Sequence, residues 1–167
     1  MIVFDASTLI LITKLELHDP LLESGLVQAA IPLEVQRECC GSKRTMDSLV
    51  IQKAVDESRI RVVEVTDQKL VAGLQNDFSL GRGEAEAIAL TLQLGASLVG
   101  MDDKNGINAC KLLGVLFTTA AGILILCRER KLIGFSDALA RLGLLARYGR
   151  YKDSILADIR SQLEACT

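Results

Sequence analysis

Short apolar runs alternate along this chain with segments in which apolar residues recur at helical spacing. The runs are MIVF (1–4), LVQAAI (26–31), IRVVEV (60–65), ASLVGM (96–101) and VLFT (115–118). Their length and their content of β-branched residues are typical of buried strands. Strands that are separated by helices are joined by right-handed crossovers, which produce a mostly parallel sheet. The alternation therefore predicts an α/β fold.

The length and composition favour one domain with an aliphatic core. The chain has 167 residues, of which 50% are hydrophobic and 4% aromatic, and it contains no Trp. A chain of this length can bury a sizeable core, which must here consist mainly of Leu, Ile, Val and Ala. The nearest feature to a joint is residues 134–154, between two late helical segments.

The charge balance restricts how the protein can bind nucleic acid. The formal net charge is −2 and the sequence pI is about 5.5. A protein dedicated to binding duplex nucleic acid usually carries a basic face, and no such excess is present. Contact with nucleic acid would depend on local basic clusters or on cations that neutralise phosphate.

The cysteines and the single histidine argue against a zinc site. Five cysteines occur without a CxxC pair, and Cys39 and Cys40 are adjacent. Zinc sites need spaced Cys and His ligands, so we expect reduced thiols in a cytoplasmic protein. No charged leader precedes an apolar stretch, and no apolar run reaches about 18 residues, so no membrane segment is expected.

Acidic residues follow two of the predicted strands. Asp5 comes directly after the first apolar run, and Asp102 and Asp103 come directly after the fourth. Because the carboxyl ends of parallel strands lie at one edge of a sheet, these side chains are expected to face one cleft.

Two helical segments add further acids. Glu38 lies beside the buried stripe that contains Val35, and Glu84 lies at the N-terminal end of the helix EAEAIALTLQLG. By the same helical spacing, Glu86 is expected to face solvent. We therefore expect Glu38 and Glu84 to join the acids at the strand ends.

Carboxylates that converge on one pocket repel each other unless cations lie between them. Mg²⁺ and Mn²⁺ prefer oxygen ligands, and a pair of such ions can activate water and stabilise the leaving oxygen of a phosphodiester. The chain has one His and no Ser or Cys in a nucleophile-elbow pattern. Metal-assisted hydrolysis is therefore the chemistry that these residues supply best.

Each acid also has a purely structural explanation. Asp5 can cap the helix that follows it, and either Asp102 or Asp103 can cap the next one. Glu84 can complement the dipole of its own helix. These alternatives stay open at the level of the sequence.

Four segments, in this order, resemble the PIN domain, a nuclease fold of the PilT N-terminus type. They are VFDAST (3–8), IPLEVQREC (31–39), GRGEAEAIAL (81–90) and LVGMDDK (98–104). With LGVLFTTAAGILI, the pattern looks like an uncharacterised prokaryotic branch found near toxin–antitoxin genes. The resemblance implies a three-layer α/β/α sandwich around a central, mostly parallel sheet. It covers about residues 1–130, which implies a nuclease core there and a helical extension over 131–167 within one domain.

The resemblance implies a metal-dependent endoribonuclease with an acidic catalytic site. The catalytic acids would be Asp5, Glu38, Glu84, Asp102 and Asp103, and all of them except Glu38 would be ligands of Mg²⁺ or Mn²⁺. It leaves open which of Asp102 and Asp103 binds the metal.

Polar and basic residues complete the site that the resemblance implies. Ser7 would support Asp5 by a hydrogen bond, and Thr118 would have a similar role. The expected RNA-binding residues are Lys43, Arg44, Arg82 and Lys104. Met101 replaces a threonine that is common in the family, and Lys104 and Lys111 replace a basic Ala-Arg stretch. A solvated, charged loop is the structural alternative for Lys43 and Arg44.

The expected partners follow from these assignments. The substrate would be RNA, an antitoxin protein is a possible partner, and apolar late helices favour a homodimer. A non-catalytic PIN-like module that binds RNA or protein is the main alternative. A doubly wound signalling domain fits less well, because VLFTTA has no lysine at the strand end.

Overall fold

The protein is described by a computed structural model that covers residues 1–41 and 45–166. Within these ranges the strands are β1 (Ile2–Phe4), β2 (Ala29–Pro32), β3 (Ile60–Val63), β4 (Leu98–Gly100) and β5 (Phe117–Thr118). The helices are α1 (Ala6–Lys14), α2 (His18–Glu23), α3 (Leu33–Cys40), α4 (Met46–Asp56), α5 (Gln68–Phe78), α6 (Arg82–Leu94), α7 (Lys104–Leu113), α8 (Ala120–Glu129), α9 (Phe135–Tyr148) and α10 (Asp153–Ala165).

The strands form one parallel sheet in the order β3-β2-β1-β4-β5. Strand β1 is central, with Ile2 opposite Ala29 on one side and opposite Leu98 on the other. Strands β2 and β3 are added on one side of β1, and the chain then crosses back to add β4 and β5 on the other side. Ligands of open α/β sheets bind at such a switch point, outside the carboxyl ends of the strands.

Two hydrophobic cores lie on opposite faces of the sheet. Ile2 and Phe4 belong to the core that contains α1, α4, α8, α9 and α10, whereas Val3 belongs to the core that contains α5, α6 and α7. This alternation follows from the two-residue period of a strand. The predicted three-layer α/β/α sandwich is therefore confirmed.

Residues 134–154, which the sequence suggests as the nearest feature to a joint, consist mostly of helix α9. Its residues Ala138, Leu142 and Leu145 are buried in the first core, as are Ile159 and Leu163 of α10. The interruption is limited to residues 149–152, between the two helices.

The cysteines are free thiols. Cys39, Cys110 and Cys127 are buried, and burial raises the pKa of Cys110 and Cys127 to about 11. These side chains act as small core residues.

None of the helices in the described ranges combines the length and the apolar character needed to cross a lipid bilayer.

Candidate functional site

A cleft of about 640 Å³ opens at the carboxyl edge of the sheet. The acids that line it are Glu84, Asp102 and Asp103. The basic and tyrosine residues that line it are Lys14, Lys104, Lys111, Tyr148, Arg150 and Tyr151. The cleft thus lies at the switch point between β1 and β4.

Asp5 directly follows β1 at this edge of the sheet and is fully buried. Its Oδ1 accepts a hydrogen bond from the Thr8 backbone N–H, and its Oδ2 accepts one from the Ser7 hydroxyl, both at 2.7 Å. Burial raises the pKa of Asp5 to about 6; the hydrogen bonds from Thr8 and Ser7 oppose this effect, and the nearby Asp102 charge adds to it. Asp5 therefore caps α1 and also lies near a second carboxylate.

Asp102 is held by two donors from outside its own strand. Its Oδ2 accepts a hydrogen bond of 2.9 Å from the backbone N–H of Ala120, at the start of α8. Its Oδ1 accepts a hydrogen bond from the hydroxyl of Tyr151. Both Asp102 and Tyr151 line the cleft, so this contact is part of its wall.

Asp103 is the member of the acidic pair that caps the next helix. Its Oδ1 accepts hydrogen bonds from the backbone N–H groups of Asn105 and Gly106, at 2.7 and 3.2 Å. It also lines the cleft, and its charge contributes to a raised pKa of Glu84. The structure therefore brings both acids of the pair to the cleft.

Glu84 lies in the first turn of α6 and is half-buried. Its Oε2 accepts a hydrogen bond of 2.9 Å from the backbone N–H of Gly81. Burial is the main cause of its raised pKa, which the Gly81 hydrogen bond lowers and the Asp103 charge raises. Glu84 thus stabilises the start of its helix while facing the cleft.

Glu38 extends from α3 and lies against Gly83 at the start of α6. A Cβ atom at Gly83 would be only 2.5 Å from Glu38 Oε1, so the absence of a side chain permits this contact. The pKa of Glu38 is raised by burial and by the charges of Glu34 and Glu84, and it is lowered by a hydrogen bond from the Gly83 backbone. Glu38 is near Glu84 but does not line the cleft.

The five predicted acids fall into two groups of interacting carboxylates. The charge interactions join Asp5 to Asp102, Asp103 to Glu84, and Glu84 to Glu38. In the part of the chain that the structure describes, no three His, Cys, Asp or Glu side chains are grouped closely enough to hold a metal ion as they stand.

The donor set nevertheless fits a hard divalent cation. Each oxygen of Asp5 and of Asp102 accepts one hydrogen bond, and a carboxylate offers about four lone-pair positions. Lone pairs therefore remain on these oxygens, and carboxylate oxygens are the ligands that Mg²⁺ and Mn²⁺ prefer.

The predicted basic residues lie in different places. Lys104 lines the cleft, but Arg82 lies at a second depression of about 490 Å³ that is also lined by Arg37. Arg82 Nε donates to Glu86 Oε1 at 2.9 Å, and Glu86 is 4% exposed, so the prediction that Glu86 faces solvent is wrong. Lys43 and Arg44 lie outside the described residues.

The polar residues are also only partly as expected. The Ser7–Asp5 hydrogen bond is present. Thr118 is at the end of β5, and its hydroxyl is 3.4 Å from the carbonyl oxygen of Thr119. Thr119, one residue later, lines the cleft and caps α8 through Gly122 N–H.

Several residues that line the cleft are not among the site residues that the sequence predicts. Tyr148, Arg150 and Tyr151 come from the end of α9 and the segment after it, and Lys111 comes from α7. The placement of Tyr148, Arg150 and Tyr151 depends on the return of the chain to the sheet edge, which no local pattern encodes. The one local signal is Gly149, which separates two helical patterns directly before an Arg-Tyr pair.

The fold and this cleft define an α/β domain with an acidic site at the carboxyl edge of its parallel sheet. Residues 1–165 match the family model DUF3368, whose description is PIN domain. The chain therefore belongs to the PIN-domain family, whose members are generally nucleases that use divalent metals. No curated protein and no solved structure matches the chain significantly.

Proposed function

We propose that this protein is a Mg²⁺- or Mn²⁺-dependent endoribonuclease that hydrolyses phosphodiester bonds of RNA. The observation that carries the proposal is the set of carboxylates at the sheet edge, three of which line a cleft together with lysine and arginine side chains. Membership of a nuclease-type family supports hydrolysis of a phosphodiester.

The acids have distinct tasks in this proposal. Asp5, Asp102, Asp103 and Glu84 are the residues that would hold the cation. A bound divalent cation would activate water and stabilise the charge of the leaving oxygen. Ser7 and Thr8 orient Asp5, and Ala120 and Tyr151 orient Asp102.

The basic residues of the cleft bind the RNA backbone. Lys14, Lys104, Lys111 and Arg150 line the same cleft as the acids, which provides local positive charge in a protein of net charge −2. Such a cluster attracts phosphate even without an overall basic surface.

The proposal extends to partners and location. We place the enzyme in the cytoplasm, as the toxin of a toxin–antitoxin pair that is inhibited by an antitoxin protein and forms a homodimer. Free cysteines support the compartment. Exposed leucines support a protein interface: Leu112 is 78% exposed and Leu116 is 69% exposed.

The test is cleavage of a labelled single-stranded RNA with Mn²⁺ by purified wild-type and variant proteins. Asp5→Asn and Asp102→Asn should each abolish metal-dependent cleavage. Asp158→Asn is the matched control, because Asp158 is an exposed acid of α10 that does not line the cleft. Undiminished cleavage by Asp5→Asn would refute the assignment.

A second candidate is a PIN-like module that binds RNA or protein without hydrolysis. It is favoured by the hydrogen bonds that already engage both oxygens of Asp5 and both oxygens of Asp102. Calorimetric titration with Mn²⁺ separates the two functions. No binding, or binding unchanged in Glu84→Gln, would favour the module.

A further inference from the structure

Tyr151 reaches the acidic site from a segment far along the chain. It lies in residues 149–152, which join α9 to α10. A Cβ atom at Gly149 would be 2.7 Å from Tyr151 Cδ2 and 2.8 Å from the carbonyl oxygen of Leu145. Glycine at position 149 thus lets the Tyr151 ring fold back against the end of α9.

The hydroxyl of Tyr151 is a hydrogen-bond donor to Asp102. The oxygen that accepts this hydrogen bond is Asp102 Oδ1. The other oxygen of Asp102 accepts from Ala120 N–H. Two donors on two separate elements therefore fix both oxygens of one carboxylate.

Asp102 depends on these two donors because its side chain does not cap the helix that follows it. Asp5 caps α1, and Asp103 caps α7, so each is fixed by the helix that follows it. Asp102 follows β4 but caps neither neighbouring helix, and its two donors come from residues 18 and 49 positions away. Loss of the Tyr151 donor would leave this carboxylate held by the Ala120 N–H alone.

We propose that Tyr151 is a positioning residue that holds the Asp102 carboxylate in the orientation required to bind a divalent cation. The segment 149–152 is then a part of the functional site rather than a connection between helices. This inference rests on the proposed function. Hydrogen-bond partners that orient a metal-ligating carboxylate affect metal affinity strongly, although they do not touch the metal.

The test is the affinity for Mn²⁺, measured by isothermal titration calorimetry of the full chain without RNA. Tyr151→Phe keeps the ring and removes the hydroxyl, and it should weaken Mn²⁺ binding by about 10- to 100-fold. Tyr148→Phe is the matched control, because Tyr148 is the other tyrosine of the cleft and its ring contacts Lys14 and Arg147. The control should bind Mn²⁺ like the wild type.

Three results would overturn the inference, and they can be told apart. Unchanged affinity in Tyr151→Phe together with lost binding in Asp102→Asn would remove the role of Tyr151 and leave the metal site intact. Tighter binding by Tyr151→Phe would show that the hydroxyl competes with the cation. Failure of the wild type to bind Mn²⁺ would overturn both this inference and the proposed function.

Discussion

The carboxyl group of Asp5 is the most deeply buried acid of the site, so its charge is sensitive to what surrounds it. Its pKa is about 6 in the folded protein, against an ordinary value of 3.8, mainly because of burial. The folded state therefore holds the proton more tightly than the unfolded chain does. This tighter proton binding stabilises the folded state. The stabilisation is complete below the pKa of Asp5 in the unfolded chain and is lost as the pH rises through its pKa in the folded protein.

We expect this residue to produce a pH-dependent loss of stability in metal-free protein. A shift of about 2 pKa units corresponds to about 3 kcal/mol of unfolding free energy between acid and neutral pH. Asp5→Asn should lack this component. Urea unfolding in EDTA at about pH 4 and about pH 7.5 tests it. The same stability difference between variant and wild type at both pH values would contradict the assignment.

Gly83 controls the position of Glu38. In Gly83→Ala the new methyl group would displace the Glu38 carboxylate, which is the mobile end of a flexible side chain. We expect unfolding free energy to change by no more than about 1 kcal/mol, because alanine also favours a helix. RNA cleavage should fall as far as it does in Glu38→Gln. Full activity of Gly83→Ala beside an inactive Glu38→Gln would contradict this explanation.

Helix α6 shows why burial can be predicted wrongly when a helix is assumed to have one apolar face. This helix packs against β1, β2 and β4 and against α3, α5 and α7. Consequently Ala85, Ala87 and Leu90 are buried on different sides of it, and Glu86 is buried as well. A prediction based on a single apolar stripe places Glu86 in solvent. In the structure Glu86 can be buried because it forms an ion pair with Arg82.

The ion pair with Glu86 distinguishes Arg82 from Lys104, although the sequence predicts that both residues bind RNA. Lys104→Ala should weaken RNA binding, because Lys104 lines the cleft. Arg82→Ala should leave RNA affinity unchanged but lower the unfolding free energy, because the buried Glu86 loses its partner. Fluorescence anisotropy with labelled RNA and chemical denaturation measure the two effects. Equal loss of RNA affinity in both variants would contradict the placement of Arg82.

The sheet was largely predictable because its signals are local. Four of the five predicted apolar runs contain an observed strand, and the run 26–31 covers all of β2 except Pro32. Gly95 and Gly114 end α6 and α7 in the left-handed conformation, as their positions predict. Thr118 and Thr119 are adjacent, and no pattern indicates which one faces the cleft. The contact between Tyr151 and Asp102 spans 49 positions and depends on how α9 and α10 pack, so sequence spacing cannot predict it.

At the scale of the whole molecule, the C-terminal helices are integrated into the main core. Leu142 and Leu145 of α9 and Ile159 and Leu163 of α10 belong to the same hydrophobic cluster as Phe4 of the central strand. Arg128 of α8 also donates a hydrogen bond to the carbonyl oxygen of Cys166. The division into a core of residues 1–130 and an extension stays a prediction. These contacts are a reason to expect that residues 1–130 do not fold independently of the extension.

Truncation after Arg130 should therefore abolish cooperative unfolding. Removal of α9 and α10 exposes apolar surface of α1 and α8, at about 25 cal/mol per Å² of newly exposed area. Thermal unfolding followed by circular dichroism measures the effect. A truncated chain that unfolds cooperatively and still binds Mn²⁺ would show that residues 1–130 form an autonomous unit.

The proposed function requires that carboxylates from distant parts of the chain act together as one cation site. Anomalous scattering from crystals soaked in Mn²⁺ can test this requirement. We expect a manganese peak in contact with Asp102 and at least one of Asp5, Asp103 and Glu84. A peak at the second depression beside Glu34 and Glu86, or no ordered manganese at the sheet edge, would contradict the claim.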